Sequence, residues 1–172
     1  MKIQSKFLAH SALIAAMYAA LTHLQNFLIP GSATWAIQFR ASEALCVLAF
    51  FTPAAIPGLS IGCFLFNLTY GAALPLDILV GTAATALSTC GMYWTRRLTV
   101  RGLPLLGLTF PAISNAFLVG WELTVHIGGG FWLNTLYVAL GELAVLFTLG
   151  WILYTTIKKN ALARRLFGET AG

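Results

Sequence analysis

The run FWLNTLYVALGELAVLFTLGWILYTTI, residues 131–157, decides the fold. It holds one charged side chain, Glu142. As a helix rising about 1.5 Å per residue it reaches roughly 40 Å, more than the roughly 30 Å hydrocarbon core of a bilayer. The surrounding chain is of the same kind. Of its 172 residues, 59% are apolar and only 9% are charged, and the mean hydropathy is +0.83. Soluble domains carry roughly 45–50% apolar and about 25% charged residues, so this chain lacks the polar surface to cover a water-soluble globule. The fold class it predicts is an all-α integral membrane protein, with residues 1–172 forming a single membrane domain.

Proline, glycine and charge clusters cut the sequence into six apolar segments, near 7–28, 43–56, 58–72, 76–96, 103–127 and 131–157. The second and third are short. Fourteen helical residues cover roughly 21 Å, so these two are expected to sit against longer neighbours, joined at Pro53, Pro57 and Gly58. The first run, preceded by Lys2 and Lys6, is long enough to be a retained span rather than a signal peptide.

The formal net charge of +5 is informative by position. With the N-terminus inside, Lys2, Lys6, Arg96, Arg97, Arg101, Lys158, Lys159, Arg164 and Arg165 all fall on the inner side, and only Arg40 falls outside. Because cytoplasmic loops collect Lys and Arg, the bias predicts six spans with both termini cytoplasmic. Cys46, Cys63 and Cys90 lie singly in apolar runs without paired spacing and read as small packing residues.

That topology assigns depths to the ionisable side chains. Glu43 and Asp77 open the second and fourth segments at the outer face, and Glu122 lies one to two turns from the outer end of the fifth. Glu142 is about eleven residues into the sixth, roughly 16 Å deep. An ionised acid facing lipid costs on the order of 3 kcal/mol at mid-bilayer, so a shared hydrated interior is the expected location for all four. Asn115, seven residues before Glu122, shares its helix face. Asn67 lies in the outer half of the third segment, and Gly81 leaves room one turn from Asp77. Tyr70 and Trp132 are candidates to stack on a planar ligand. The outer connection GSATWAIQFRASE, with Trp35, Phe39 and Arg40, is the candidate lid.

Each feature has a structural alternative. Glu43 and Asp77 also suit helix N-termini, where negative charge is favoured, and Ser42 suits a cap. Trp35, Trp121 and Trp132 suit an interfacial aromatic belt. Arg40 is either a lone exposed charge or a partner of Glu43. Glu142 is harder to explain as structure, since no span carries a basic partner for it. His10, His23 and His126 lack metal-like spacing. No phosphate loop, Ser/His/Asp set, HExxH or redox cysteine pair is present. No metal, cofactor or catalytic residue is therefore expected, and an ATP-driven role would need partner subunits.

The first segment contains SALIAAMYAAL, in which Ala12, Ala16 and Ala20 recur every four residues and Ser11, Ala15 and Ala19 form the adjacent row. Small residues at this spacing let helices approach closely in lipid. They pack either against helices of the same chain or against a second membrane subunit. Gly58 and Gly62 repeat the pattern and read as internal packing.

The Ala-rich first segment, FRASEAL at 39–45, PGLSIGCFLFNLTYG at 57–71, LDILVGTAATAL at 76–87, NAFLVGWEL at 115–123 and LGE at 140–142, in this order and spacing, resemble the queuosine-precursor S-component of energy-coupling factor (ECF) transporters, the QueT family. The resemblance runs from about residue 8 to 157. It implies a six-helix substrate-binding subunit in a prokaryotic cell membrane. Its partners would be a transmembrane coupling subunit, contacted through Ala12, Ala16 and Ala20, and two cytoplasmic ATPases. It also implies reorientation by toppling and a 7-deazaguanine ligand such as preQ1, or queuine. A carboxylate accepts from the N–H donors of a guanine-like edge, and the cationic aminomethyl group of preQ1 wants a second carboxylate. The expected substrate residues are Glu142 and Glu122 as the two carboxylates, with Asn115, Asn67, Asp77, Glu43, Arg40, Tyr70 and Trp132. An S-component for another vitamin and a self-sufficient proton- or ion-coupled carrier are the alternatives.

Overall fold

A computed structural model describes residues 2–32, 39–70, 76–100 and 102–167. Apart from a single bridge between Val100 and Leu103, the regular structure among these residues is helical. Helix α1 (Lys2–Leu28) is followed by a 3-10 helix (Ala41–Phe50), α2 (Ala55–Thr69), α3 (Asp77–Thr95), α4 (Leu105–His126) and α5 (Phe131–Val145). A π turn (Leu146–Gly150) then leads into α6 (Trp151–Lys159), and α7 (Ala161–Phe167) closes the described chain. Gln4–Leu28 and Phe131–Lys159 are each long and apolar enough to cross a bilayer.

The segment boundaries read from sequence lie close to these elements, with two corrections. Pro57 and Gly58 belong to the first turns of α2 and are not the join, which falls just after Phe50 and before Ala55. A proline fits there because the first amides of a helix have no intrahelical acceptor to lose. The second segment is also not an α-helix. Ten residues of 3-10 helix are unusually long for that form, and they reach about 20 Å at roughly 2.0 Å per residue.

This 3-10 helix is the hub of the bundle. α1 to α5 pack side by side in chain order, and the 3-10 helix touches α1, α2, α3, α4, α5, the π turn and α6. Every residue from Ser42 to Phe50 is buried. Its Cys46, Val47, Leu48 and Phe50 form one core with Ile14 and Tyr18 of α1, Leu59 and Cys63 of α2, Met92, Leu108, Leu146 and Tyr154. Total burial by neighbours explains the tolerated geometry, since packing on all sides outweighs the poorer 3-10 hydrogen bonds.

The two small-residue rows of α1 separate cleanly. Ser11 and Ala15 are buried, and a Cβ at Gly62 would come within 2.7 Å of the Tyr18 Cβ and 2.8 Å of the Ala15 carbonyl oxygen. Gly58 meets the Ser11 carbonyl and Ile14 in the same way. That row and the Gly58–Gly62 pair therefore form the α1–α2 seam. Ala12, Ala16 and Ala20 are exposed on the other side of α1.

The exterior is apolar and the interior charged, the reverse of a soluble protein. Leu8, Phe27, Leu79, Leu87, Trp94, Phe117, Trp121, Leu140 and Ile152 are exposed. Arg40, Glu43, Asp77, Glu122 and Glu142 are buried. At one end of the bundle the Lys158 Nζ donates to the Gly102 carbonyl at 2.7 Å, which gathers the basic ends of α3 and α6.

Candidate functional site

The buried charges come from five elements. Arg40 precedes the 3-10 helix and Glu43 lies in its first turn. Asp77 opens α3, Glu122 lies near the end of α4, and Glu142 sits on α5. Their fields overlap: Arg40 interacts with Glu43, Asp77, Glu122 and Glu142. One guanidinium thus serves four carboxyl groups. Arg40 lies 5.7 Å from the centroid of the Phe66 ring and reaches toward the Cys63 sulfur at 4.0 Å, so it is a buried member of the cluster and not a surface charge.

Glu43 is held at both oxygens. The Tyr18 hydroxyl donates to Oε1 and the Cys46 thiol to Oε2 at 3.2 Å. Next to it, Thr22 donates to the Ser42 hydroxyl at 2.7 Å, so Ser42 bonds to α1 and does not cap the 3-10 helix. Through Tyr18 and Thr22, α1 therefore clamps the 3-10 helix, and Ser11 on the same face donates to the Ala54 carbonyl just beyond it at 3.1 Å.

Asn67 donates from Nδ2 to the Asp77 carbonyl at 2.7 Å. A Cβ at Gly81 would lie 2.9 Å from that nitrogen, so the room left by Gly81 is taken by the Asn67 amide. Asn115 donates to Oε1 of Glu142 at 2.8 Å. These contacts leave a consistent residue. Asn67 Oδ1, Glu142 Oε2 and both oxygens of Glu122 are buried without a hydrogen-bond partner among the described residues. Asp77 stands against Glu122, so two acids face each other at this point of the interior.

Glu142, Glu122, Asn115, Asn67, Asp77, Glu43 and Arg40 are thus buried together. Tyr70 stacks on Phe66, with centroids 5.1 Å apart and planes at 17°, at the edge of this group. Trp132 does not join it. It is 73% exposed and packs edge-on against Phe131, as an outward aromatic at a membrane boundary would. Trp35, in the candidate lid, lies outside the described residues. Sequence reasoning missed Tyr18, Cys46 and Cys63 as members of the polar interior. The signal for Tyr18 was there: Ser11, Tyr18 and Thr22 recur at seven and four residues, which places them on one helical stripe.

Apolar helices around a charged interior define a class, the membrane protein that keeps its polar chemistry inside a lipid-compatible shell. Residues 8–159 match the family model of the QueT transporter, and the chain belongs to that family. Curated proteins and solved structures give no significant match.

Proposed function

We propose that the chain is the substrate-binding S-component of an ECF-type importer and that it takes up a queuosine precursor, a 7-deazaguanine such as preQ1 or queuine. In this reading it crosses the membrane six times with both termini in the cytoplasm of a prokaryotic cell. It binds the ligand from outside and works with a transmembrane coupling subunit and two ATPases. The positive end at Lys158 and Gly102 supports the orientation. The exposed row Ala12, Ala16 and Ala20 supports a partner surface on α1, since the adjacent row already serves the internal seam.

The observation that carries the reading is the surplus of acceptors on Glu122, Glu142 and Asn67 that have no partner among the described residues. Buried acceptors without donors are costly, and a ligand that enters as a cluster of N–H donors removes that cost. A 7-deazaguanine with an amine arm has donors at its ring edge and at its far end. Acidic ligands are disfavoured by four carboxyl groups against one guanidinium.

The test is thermal stabilisation of the purified chain by preQ1, queuine, guanine, riboflavin and thiamine at matched concentrations. A ligand that binds only the folded state stabilises it by RT ln(1 + [L]/Kd). The expected result is a saturable rise with the deazaguanines and none with riboflavin or thiamine. A rise with riboflavin or thiamine alone overturns the substrate.

A further inference from the structure

Resting on that substrate reading, we infer that the two ends of the acceptor face have different tasks: Glu122 with Asp77 selects the cationic arm of the ligand, and Glu142 with Asn115 takes the donor edge of its base.

The argument starts with α4. Asn115 and Glu122 are seven residues apart, two turns, which places them on one face about 10 Å apart along the axis. That interval accommodates a bicyclic base and a one-carbon arm with a hydrogen bond of about 2.8 Å at each end. The ends differ in chemistry. At one, Asn115 fixes Oε1 of Glu142 and leaves Oε2 without a donor. An amide beside a carboxylate is a mixed set, able to donate and accept, and a guanine-like edge is mixed too, with N–H donors beside a carbonyl.

At the other end the set is made of acceptors. Glu122 is fully buried and, among the described residues, neither of its oxygens has a hydrogen-bond partner. The group against it is a second acid, Asp77. Asn67, whose nitrogen is committed to the Asp77 carbonyl, contributes an Oδ1 that is likewise unpartnered. Two adjacent carboxyl groups remain charged together only when a cation compensates them. Arg40 does so in part, but its charge is shared with Glu43 and Glu142. An ammonium, with three donors and no acceptor, matches this end. A nitrile or a methyl group, which offers no N–H donor, does not.

The experiment is isothermal titration of the full-length chain in detergent with preQ1, which carries the amine arm, and preQ0, which carries a nitrile there. Wild type, Glu122→Gln, Asp77→Asn and Glu142→Gln are compared, with melting curves to check folding. Wild type should prefer preQ1 by about tenfold or more, the scale of a charge-assisted hydrogen bond. In Glu122→Gln that preference should collapse to within about threefold, through loss of preQ1 affinity. In Glu142→Gln both ligands should weaken while the preference persists. Asp77→Asn supplies the same readout if Glu122→Gln does not fold. Survival of the preference in the folded Glu122 or Asp77 variant overturns the assignment, as does its absence in wild type. Binding of preQ0 but not preQ1 overturns it as well. A wild-type chain that binds neither ligand refutes the substrate reading itself, and the assignment falls with it.

Discussion

Glu43 and Glu122 are buried to the same degree, 1% and 0% exposed, in the same bundle and with the same side-chain chemistry. Glu43 receives Tyr18 and Cys46, one donor per oxygen, while Glu122 receives none among the described residues and faces another acid. Burial alone does not separate the two carboxylates. Donor accounting does: each oxygen of Glu43 has a donor within the chain, Glu122 has none among the described residues, and the proposed ligand would supply it. The comparison also separates two settings: a frame of α1 and the 3-10 helix, seamed to α2, that supplies Glu43 with donors, and Asn67, Glu122 and Glu142 on α2, α4 and α5, whose acceptors lack a donor among the described residues.

The strongest way to break the frame is at its seam. Gly62→Val should push α1 from α2, because the added carbons meet the Ala15 carbonyl and the Tyr18 Cβ. A cost of about 3 kcal/mol, the upper range for overpacking, should appear as loss of monodisperse protein in size-exclusion chromatography; a wild-type elution profile and melting temperature would show that the seam is loose. Next, Glu43→Ala should destabilise the ligand-free chain by about 1–3 kcal/mol by stranding Tyr18 and Cys46. Glu122→Gln should leave its melting temperature unchanged or raised, since it removes a buried acid facing an acid. Equal destabilisation by both would erase the distinction. Glu142→Gln should weaken deazaguanine binding by about 1.5–3 kcal/mol in titration calorimetry, and unchanged affinity would remove it from the site. Tyr18→Phe should cost about 1 kcal/mol of stability and spare ligand affinity. Smallest of all for the isolated chain, Ala16→Leu should change stability by less than about 0.5 kcal/mol yet prevent co-purification of coupling and ATPase subunits. Loss of stability there would make the exposed row part of the internal packing.

Much of this division was legible in the sequence. Hydropathy and length marked 131–157, and the lone Glu142 within it pointed to a polar interior. The separation of Asn115 and Glu122 placed them on one face, and the four-residue spacing of small residues on α1 marked two rows, one of which packs on α2. What hydropathy could not reveal was the form of 41–50. A 3-10 and an α-helix share composition and differ in hydrogen-bond register, which is decided here by burial on every side. The π turn at 146–150 was hidden for the same reason. Cys46 and Cys63 read as packing residues because a thiol's role depends on its neighbours: Arg40 meets Cys63 only in three dimensions, and Glu43, three residues before Cys46, shows its pairing only once both are buried in one helix. Trp132 was a plausible stacking group by depth, but depth does not say which way a side chain faces.

The most direct measurement is an experimental structure of the chain with preQ1 bound. The account predicts the ligand between α4 and α5, with N–H groups about 2.7–3.2 Å from Glu142 Oε2 and from the Glu122 carboxylate, and with Tyr18 and Cys46 still on Glu43. A ligand seated elsewhere, with the Glu122 and Glu142 oxygens still without donors, would contradict it.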